Sequence, residues 1–341
     1  MSRSSIATQQ MKLKNTPKPQ LLSLFCGAGG MDLGFEQAGY ETCLAIDNWD
    51  DAVNTFNHNF SSKPAVCRDL AELRAKDFLK LVPTGVQPVG LIGGPPCQGF
   101  SRSNVSADPD DPRNMLPFRY VELVKAAKEQ FGLKFFVFEN VTGLQSQKHA
   151  ARFANIQESL IKAGFNIYVQ SLNAVHFSVP QRRHRLIIVG INNTISDFEF
   201  SFPDKHETVK NVRDAIHGLP EPVFFKRGLN PSDMTFHPNH WTMAPKSPKF
   251  SSKIKNKSQG RSFRRLQWDS PSATVAYGNR EIHVHPSGKR RLSLYEAMLL
   301  QGFEFDFQLT GTLSSQVTQV SNAVPPPLAL AIAKKLLPLS V

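Results

Sequence analysis

Short apolar runs that end in glycine or in a polar residue recur along the first half of this 341-residue chain, and helical patterns separate them. The first run, Leu21–Phe25, leads into a glycine-rich turn at 26–30 and then into a helical segment from Met31 to Ala38. Buried strands have this pattern, and glycine ends them. Strands that alternate with helices build a mostly parallel sheet with helices on its faces. The sequence therefore predicts an α/β fold.

The same reasoning predicts the other regular elements and the organisation of the chain. Strands are expected at 42–46, 89–92, 135–138, 167–172 and 185–189, and helices at 50–60, 118–129, 151–163, 293–300 and 327–337. The alternation stops near Asn192, because prolines and polar residues leave few periodic segments from there to about Arg265. We expect a flexible arm over residues 1–19, an α/β domain over 20–191, a small irregular domain over 192–265 and a C-terminal return to the α/β domain over 266–341.

Positive charge is concentrated in one stretch of the chain. The net charge is +12, and the stretch from Lys226 to Arg291 holds 14 lysines and arginines against three acids. A solvated basic face is the simpler interpretation of a charge run. Concentration in an irregular region instead favours a polyanionic partner whose phosphates supply the affinity.

The sequence lacks the features of several protein classes. It has no stretch of about 18 apolar residues, and its polar, basic N-terminus has no apolar segment of the kind found in secretory signals. The four cysteines show no CxxC spacing, which favours reduced thiols over a disulfide scaffold or a zinc site. His237 and His240 have no cysteine or carboxylate partner at zinc spacing. We expect a cytoplasmic protein with no bound metal and no membrane contact.

The segment Gly93–Cys97 places a thiol directly after a predicted buried strand. Ligands of open α/β sheets bind at the carboxyl ends of the strands. Pro95 and Pro96 fix φ just before Cys97, so the loop that presents the thiol is stiff. An inert buried cysteine is the alternative for any single thiol, but this setting favours a nucleophile.

The end of the first strand and two acids that follow it point to a bound ligand. The turn Cys26–Gly30 offers free N–H groups where a ligand can approach the backbone. Asp47 follows the second strand and suits a ribose diol, although it could equally cap the next helix. Asp69, near a possible third strand, could bind an adenine amino group, whereas alone it would more often be a surface acid. Together these residues favour an adenosine-containing cofactor.

Three further charged residues lie beside predicted strands. Glu139 follows the apolar run 135–138, and a carboxyl group at such a strand end can donate a proton or serve as a structural acid. Arg183 and Arg185 lie at the start of another strand, where alternation sends both side chains to one face. Two guanidiniums on one face suit an anionic or carbonyl-rich ligand, with an edge-strand charge cluster as the alternative.

Six sequence blocks, in this order, resemble the DNA cytosine-5 methyltransferase family. They are Phe25–Gly30, Pro95–Gln98, Glu139–Val141, Gln181–Arg185, Arg291–Phe303 and Ser321–Pro325. The resemblance covers most of the chain. It implies the Rossmann-like fold of class I S-adenosylmethionine-dependent methyltransferases, with residues 192–265 as a small irregular target-recognition domain. The compact size resembles a prokaryotic enzyme of a restriction–modification system.

The resemblance implies S-adenosylmethionine as the cofactor and no metal. The positions that match the family's cofactor contacts are Phe25, Gly27, Ala28, Gly30, Asp47, Asn48, Asp69, Leu70, Pro96 and Asn322. Asp47 would bind the ribose, and Asp69 and Leu70 would contact the adenine. Asn48 stands where the family has a large apolar residue and Trp49 comes one place later, so either side chain could pack on the adenine.

The same resemblance implies a reaction at C5 of a cytosine flipped out of duplex DNA. Cys97 would add to C6, Glu139 would donate a proton at N3, and Arg183 and Arg185 would face O2 and the neighbouring phosphate. The implied partner is double-stranded DNA, bound by a monomer at the nucleoid. A restriction endonuclease acting on the same site is a candidate second partner.

Two other functions stay open. One is a tRNA cytosine-5 methyltransferase of the same fold, although the residues after Cys97, Gln98–Ser101, are closer to the DNA-modifying pattern. The other is a catalytically silent DNA-binding relative. The presence of Cys97, Glu139 and both arginines counts against it.

Overall fold

The computed structural model describes residues 17–96, 112–230, 233–244, 264–274 and 283–340. Cys97, residues 1–16 of the predicted arm and parts of the basic stretch lie outside the described residues. The strands are β1 (Gln20–Leu24), β2 (Glu41–Asp47), β3 (Ala65–Cys67), β4 (Pro88–Gly93), β5 (Phe135–Asn140), β6 (Phe165–Asn173), β7 (Gln181–Arg182), β8 (His184–Asn192), β9 (Val223–Phe224), β10 (Trp241–Thr242) and β11 (Ser272–Ala273). The helices are α1 (Gly30–Gln37), α2 (Asp50–Asn59), α3 (Ala75–Leu79), α4 (Leu116–Phe131), α5 (Ala150–Lys162), α6 (Val212–Ile216), α7 (Leu294–Gln301), α8 (Leu313–Asn322) and α9 (Pro326–Ser340).

Seven strands form a central sheet in the order β3-β2-β1-β4-β5-β8-β6. β1 to β5 run parallel, and β8 pairs antiparallel with both β5 and β6. The chain moves outward from β1 to β3 and then crosses to β4 on the other side of β1. The carboxyl ends of β1 and β4 therefore border the crevice in which such sheets bind ligands. The predicted α/β fold with a mostly parallel sheet is confirmed.

Helices cover both faces of this sheet. In β5, Phe136 and Phe138 pack on one side with residues of α4 and α5, whereas Phe135 and Val137 pack on the other with residues of α1 and α9. All six residues of β5 are buried, as expected for a central strand covered on both faces. The sheet is therefore a rigid base for the side chains at its carboxyl edge.

A further apolar cluster joins the small irregular region to the α/β domain. Val212 and Ile216 of α6 and Trp241 of β10 pack in it with Met298 of α7 and Phe56 of α2. The small region thus rests on the C-terminal return of the chain. We call this contact the junction.

Helix α8 was not predicted from the sequence. Most of its residues are serine, threonine, glutamine and valine, which have low or moderate helix propensity. The Thr312 side chain caps its first turn by accepting a hydrogen bond from the Ser315 N–H. Val317 and Val320 pack into the junction. Capping and tertiary packing therefore outweigh the weak propensity of this segment.

Candidate active site

The chain leaves β1 through a strained turn beside the crevice. Phe25 has a φ of 54° and Gly29 a φ of 87°, a left-handed region that costs residues other than glycine free energy. A Cβ on Gly29 would lie 2.6 Å from the Phe60 ring, and one on Gly30 would lie 2.4 Å from the Val324 carbonyl oxygen. Glycine is therefore required at both positions, and the turn packs closely on the segment that follows α8.

Asp47, the last residue of β2, holds this turn in place. One carboxylate oxygen accepts a hydrogen bond from the Gly27 N–H at 2.9 Å, and the other accepts from the Trp49 N–H at 3.1 Å. Burial raises the pKa of Asp47, and these hydrogen bonds oppose the rise. Because a carboxylate offers about four acceptor positions, capacity remains for the hydroxyl groups of a ligand.

The turn forms one wall of a cleft with a volume of about 600 Å³. The ends of β2, β4 and β5 and the start of β8 contribute to the lining, and Thr318, Gln319 and residues 321–324 form a further wall. Pockets for small organic ligands are typically about 300 to 1,000 Å³. The cleft therefore has the size and the position of a cofactor site.

Glu139 and Arg185 form an ion pair in this cleft. β8 runs antiparallel to β5, so its first residues lie at the edge where the parallel strands end. Arg185 Nε lies 2.6 Å from Glu139 Oε1, and the side chains are 13% and 11% exposed. A charge pair that is largely withdrawn from water interacts more strongly than one on an open surface, so the carboxyl group is held in a fixed orientation.

The residues that lead to Cys97 are attached to the same strand end. A Cβ on Gly94 would lie 2.9 Å from Glu139 Oε2, so this glycine gives the carboxyl group room. Asn140 Nδ2 donates to the Pro95 carbonyl oxygen at 3.2 Å. The stem of the cysteine loop is thereby fixed beside Glu139, while Cys97 itself is not among the described residues.

Most of the predicted cofactor and catalytic residues lie together. Those that line the cleft are Phe25, Gly27, Ala28, Gly30, Asp47, Asn48, Pro96, Glu139, Arg185 and Asn322. Trp49 lines it as well, so both candidate neighbours of an adenine are present. Asp69 and Leu70 are not in this lining. Asp69 is exposed and accepts a hydrogen bond from the Ala71 N–H at 2.8 Å, and Leu70 lies in the core. Their adenine contact stays a prediction.

Arg183 does not line the cleft, whereas the sequence predicts that it lies beside Arg185 in the catalytic site. It lies between the end of β7 and the start of β8. The Arg183 side chain is buried, and its Nη2 donates to the carbonyl oxygens of Ser321 and Ala323, both at 2.9 Å. Of the two arginines, Arg185 lines the cleft and Arg183 supports the wall behind it.

Asp32 lines the cleft and was missed from the sequence. It lies in the first turn of α1, fully buried, and accepts hydrogen bonds from the Ser23 and Thr42 hydroxyls, both at 3.0 Å. Burial raises the pKa of Asp32 to about 7, and the two hydroxyls oppose the rise. A carboxylate among apolar residues, directly after the glycine turn, is the signal that could have identified it. Thr318 and Gln319, which also line the cleft, were missed because α8 was not predicted.

The remaining candidate ligands occupy structural positions. His240 contacts the Pro220 carbonyl oxygen at 2.8 Å and the Ser293 hydroxyl at 3.0 Å, and the His237 ring stacks on Tyr295. Cys26, Cys43 and Cys67 are free thiols. Within the described ranges, no group of three or more His, Cys, Asp or Glu residues could hold a metal ion. No helix in the same ranges is long and apolar enough to cross a membrane.

Comparisons with known sequences identify the family. Residues 20–338 match the family described as C-5 cytosine-specific DNA methylase. The type II methyltransferase M.MthTI of Methanothermobacter thermautotrophicus is 34% identical over 340 residues, which cover 93% of this chain and 96% of the relative. The type II methyltransferase M.FnuDI of Fusobacterium nucleatum is 32% identical over 343 residues, which cover 93% and 94%.

Comparisons with solved structures agree. A protein described as a DNA modification methyltransferase encoded within an E. coli prophage matches with a TM-score of 0.74 at 25% identity, over 94% of this chain and 99% of that one. The S. pombe Dnmt2 methyltransferase shares the fold, with a TM-score of 0.65 at 18% identity over 95% and 100% of the two chains. The resemblance seen in the six sequence blocks is confirmed, and the chain belongs to the C-5 cytosine-specific DNA methylase family.

Proposed function

We propose that this protein transfers a methyl group from S-adenosylmethionine to C5 of a flipped cytosine in a specific duplex DNA sequence, through a covalent adduct with Cys97. One observation carries the proposal: the glycine turn with Asp47, the Pro95 and Pro96 stem, and the Glu139–Arg185 pair all line one cleft. The first suits an adenosine, and the other two suit acid-assisted nucleophilic addition.

The described residues fit the cofactor that the family uses. Backbone N–H groups of the turn lie at the start of α1, where they suit a carboxylate. Asp47 offers acceptors for a ribose diol, and the Trp49 indole offers a flat apolar surface for an adenine. When bound, the sulfonium group would supply an electrophilic methyl group. The turn, Asp47 and the wall at 318–324 would orient it toward the stem of the cysteine loop.

The catalytic roles follow from the chemistry of cytosine. C5 is a weak nucleophile, so the Cys97 thiolate adds at C6 and makes C5 enamine-like. Negative charge then builds on N3 and O2 of the ring. We assign N3 to the Glu139 Oε2 side, because Arg185 is paired with Oε1 and the Glu139 side chain lines the cleft. Arg185 would face O2. After methyl transfer, loss of the C5 proton lets the Cys97 sulfur leave.

A cytosine stacked in a duplex is out of reach of such a cleft, so the base must be flipped. We assign DNA reading to residues 192–265, the predicted target-recognition domain. In its described part, exposed Lys226 and Arg227 suit phosphates, and exposed Phe224 and Phe225 suit apolar base edges. The relatives named above are type II methyltransferases. We therefore infer a restriction endonuclease of the same specificity as a second partner.

Bisulfite sequencing of DNA from cells that express the protein comes first, because it identifies the modified site. Duplex DNA carrying 5-fluorocytosine at that site then tests the covalent step. The fluorine does not leave as a proton does, so the adduct persists on a denaturing gel. Wild-type protein should be trapped and Cys97→Ser should not. Trapping of Cys97→Ser, or methyl transfer to tRNA but not to duplex DNA, would contradict the proposal.

A further inference from the structure

A fully buried arginine needs a structural or functional reason, because burying its charge is costly. The Arg183 side chain is buried, with 1% of the residue exposed. Its Nη2 donates at 2.9 Å to the Ser321 carbonyl oxygen, near the end of α8, and at the same distance to the Ala323 carbonyl oxygen just beyond that end. Carbonyl groups at a helix C-terminus have no partner inside the helix, and a cation there is also favoured by the helix dipole. Arg183 therefore caps the end of α8.

Two glutamines extend this contact. Gln301, at the end of α7, donates through Nε2 to the same Ala323 carbonyl oxygen at 2.6 Å. Gln181 of β7 donates to Gln301 Oε1 at 2.7 Å. We call Arg183, Gln301 and Gln181 the carbonyl clamp. The clamp joins β7 and α7 to the segment that follows α8.

The clamped segment is one wall of the cleft. Ser321, Asn322, Ala323 and Val324 all line it. The wall is also packed closely against the glycine turn, because a Cβ on Gly30 would lie 2.4 Å from the Val324 carbonyl oxygen. A small displacement of the wall would therefore change the shape of the cofactor pocket.

The backbone that carries Arg183 is itself fixed. The Ala174 N–H donates to the Arg183 carbonyl oxygen at 2.9 Å. On the other side, β7 pairs with β11, so Gln181 lies opposite Ser272. The backbone at Arg183 is therefore rigid. The guanidinium loses little conformational entropy when it holds the wall.

We propose that Arg183 is a positioning residue that fixes the cofactor wall at Ser321–Ala323, and that it does not contact the cytosine. Arg185, two residues further on, is the arginine of the reaction centre. This inference rests on the proposed function, because the ligand of the wall is S-adenosylmethionine. It predicts that Arg183 and Arg185 affect different kinetic constants.

The test compares Arg183→Met and Arg183→Lys with Arg185→Met. The dissociation constant of S-adenosylmethionine is measured by calorimetry, and kcat is measured at saturating cofactor and saturating site-containing DNA. Arg183→Met should raise the dissociation constant about tenfold or more, since two hydrogen bonds from a charged group are lost. Its kcat at saturation should stay within about threefold of wild type. Arg183→Lys keeps a cation near the carbonyls and should restore part of the affinity. Arg185→Met should lower kcat and leave the dissociation constant nearly unchanged.

The inference would be overturned if Arg183→Met bound S-adenosylmethionine with wild-type affinity but had a much lower kcat. That result would mean that Arg183 contacts the base or its phosphate directly. Should Arg183→Met fail to fold, Arg183→Lys and Gln301→Leu provide the test. Each should raise the dissociation constant with kcat retained, and unchanged affinity in both would contradict the clamp. Failure of wild-type protein to bind S-adenosylmethionine would instead refute the proposed function, so the two failures are distinguishable.

Discussion

Two glutamate–arginine pairs in this protein have the same chemistry and different settings. Glu139 and Arg185 meet through one contact of 2.6 Å in the cleft. More than a tenth of the surface of each side chain is exposed to solvent. Glu296 and Arg290 meet through two contacts, of 2.8 and 2.9 Å, at the junction. There the side chains are only 1% and 5% exposed.

The junction pair uses its hydrogen-bonding capacity inside the protein. The Glu296 carboxylate also accepts from the Ser293 N–H at 2.7 Å, which completes a capping box at the start of α7. Arg290 Nε donates to Glu221 of the small region at 2.8 Å. In the cleft, by contrast, Arg185 is paired with Glu139 Oε1, and the Glu139 side chain lines the space for a ligand. An ion pair whose hydrogen bonds are made inside the protein supports the fold. An ion pair that lines a cleft and can accept a further hydrogen bond is available for chemistry.

The same substitution in both pairs should separate these roles, and the largest effect is expected in the cleft. Glu139→Gln keeps the size of the side chain but removes the proton that we assign to N3. The rate of methyl transfer at saturating cofactor and DNA should fall about 10²- to 10⁴-fold, the usual contribution of a general acid. The midpoint of urea unfolding should fall less than in Glu296→Gln, because the cleft pair is more exposed than the junction pair. A variant that retains most of the wild-type rate would remove Glu139 from the mechanism.

Glu296→Gln is the matched change at the junction. Among the described residues, neutralising Glu296 leaves the buried Arg290 with only the exposed Glu221 carboxylate as a counterion, so the free energy of unfolding should fall by about 3 kcal/mol. The rate per folded molecule should stay near that of wild type, because Glu296 does not line the cleft. Urea unfolding and active-site titration provide the two readouts. A lower rate with unchanged stability would reverse the assignment of the two pairs.

Histidines around the junction should make it sensitive to acid. Burial holds the pKa of His240, His283 and His285 below the usual value and lowers that of His237 to about 4. The folded protein keeps these rings neutral, while the unfolded chain binds protons below about pH 6.5. The histidines should therefore lower the free energy of unfolding as the pH drops from about 6.5 to about 4. Asp32, whose pKa is raised, acts in the opposite direction over this range, so the histidine contribution is measured as a difference between wild type and a histidine variant.

The variant His237→Phe tests this titration by removing the ring nitrogens, one of which accepts a hydrogen bond from the Asn239 N–H at 3.2 Å. The His237 ring stacks on Tyr295 with centroids 4.0 Å apart, and a phenyl ring can occupy the same place. One titrating group is lost, so the unfolding free energy of the variant, measured relative to that of wild type, should rise as the pH drops from about 6.5 to about 4. Urea unfolding of both proteins across this range measures the two slopes. Equal slopes would show that His237 does not contribute to the pH dependence.

The sequence predicted the cleft better than it predicted the junction. Glu139, Asp47 and the glycine turn follow apolar runs directly, and the carboxyl ends of parallel strands meet at one edge, so local patterns placed them correctly relative to one another. The wall at residues 318–324 depends on α8, whose Ser, Thr and Gln residues carry little helical signal.

Long-range contacts account for the positions that the sequence did not reveal. The Arg183 side chain is buried against carbonyl groups that lie about 140 residues away in sequence. Periodicity within one strand holds no information on such a contact. Asp32 was missed for a similar reason, since its burial depends on Ser23 and Thr42 from two neighbouring strands.

The smallest effect is expected at an exposed pair near the junction, which serves as the control for both glutamates. Arg213 contacts Asp269 through two hydrogen bonds, of 2.8 and 3.1 Å, but the side chains are 44% and 75% exposed. Exposed ion pairs add little to stability because water and salt screen them. Asp269→Asn should therefore leave both the unfolding midpoint and the methyl transfer rate unchanged within error. The Arg213 guanidinium also lies 5.5 Å from the centre of the Trp268 ring, and this contact survives the substitution. A loss of stability comparable to that of Glu296→Gln would mean that pair geometry, and not burial, sets the contribution of an ion pair here.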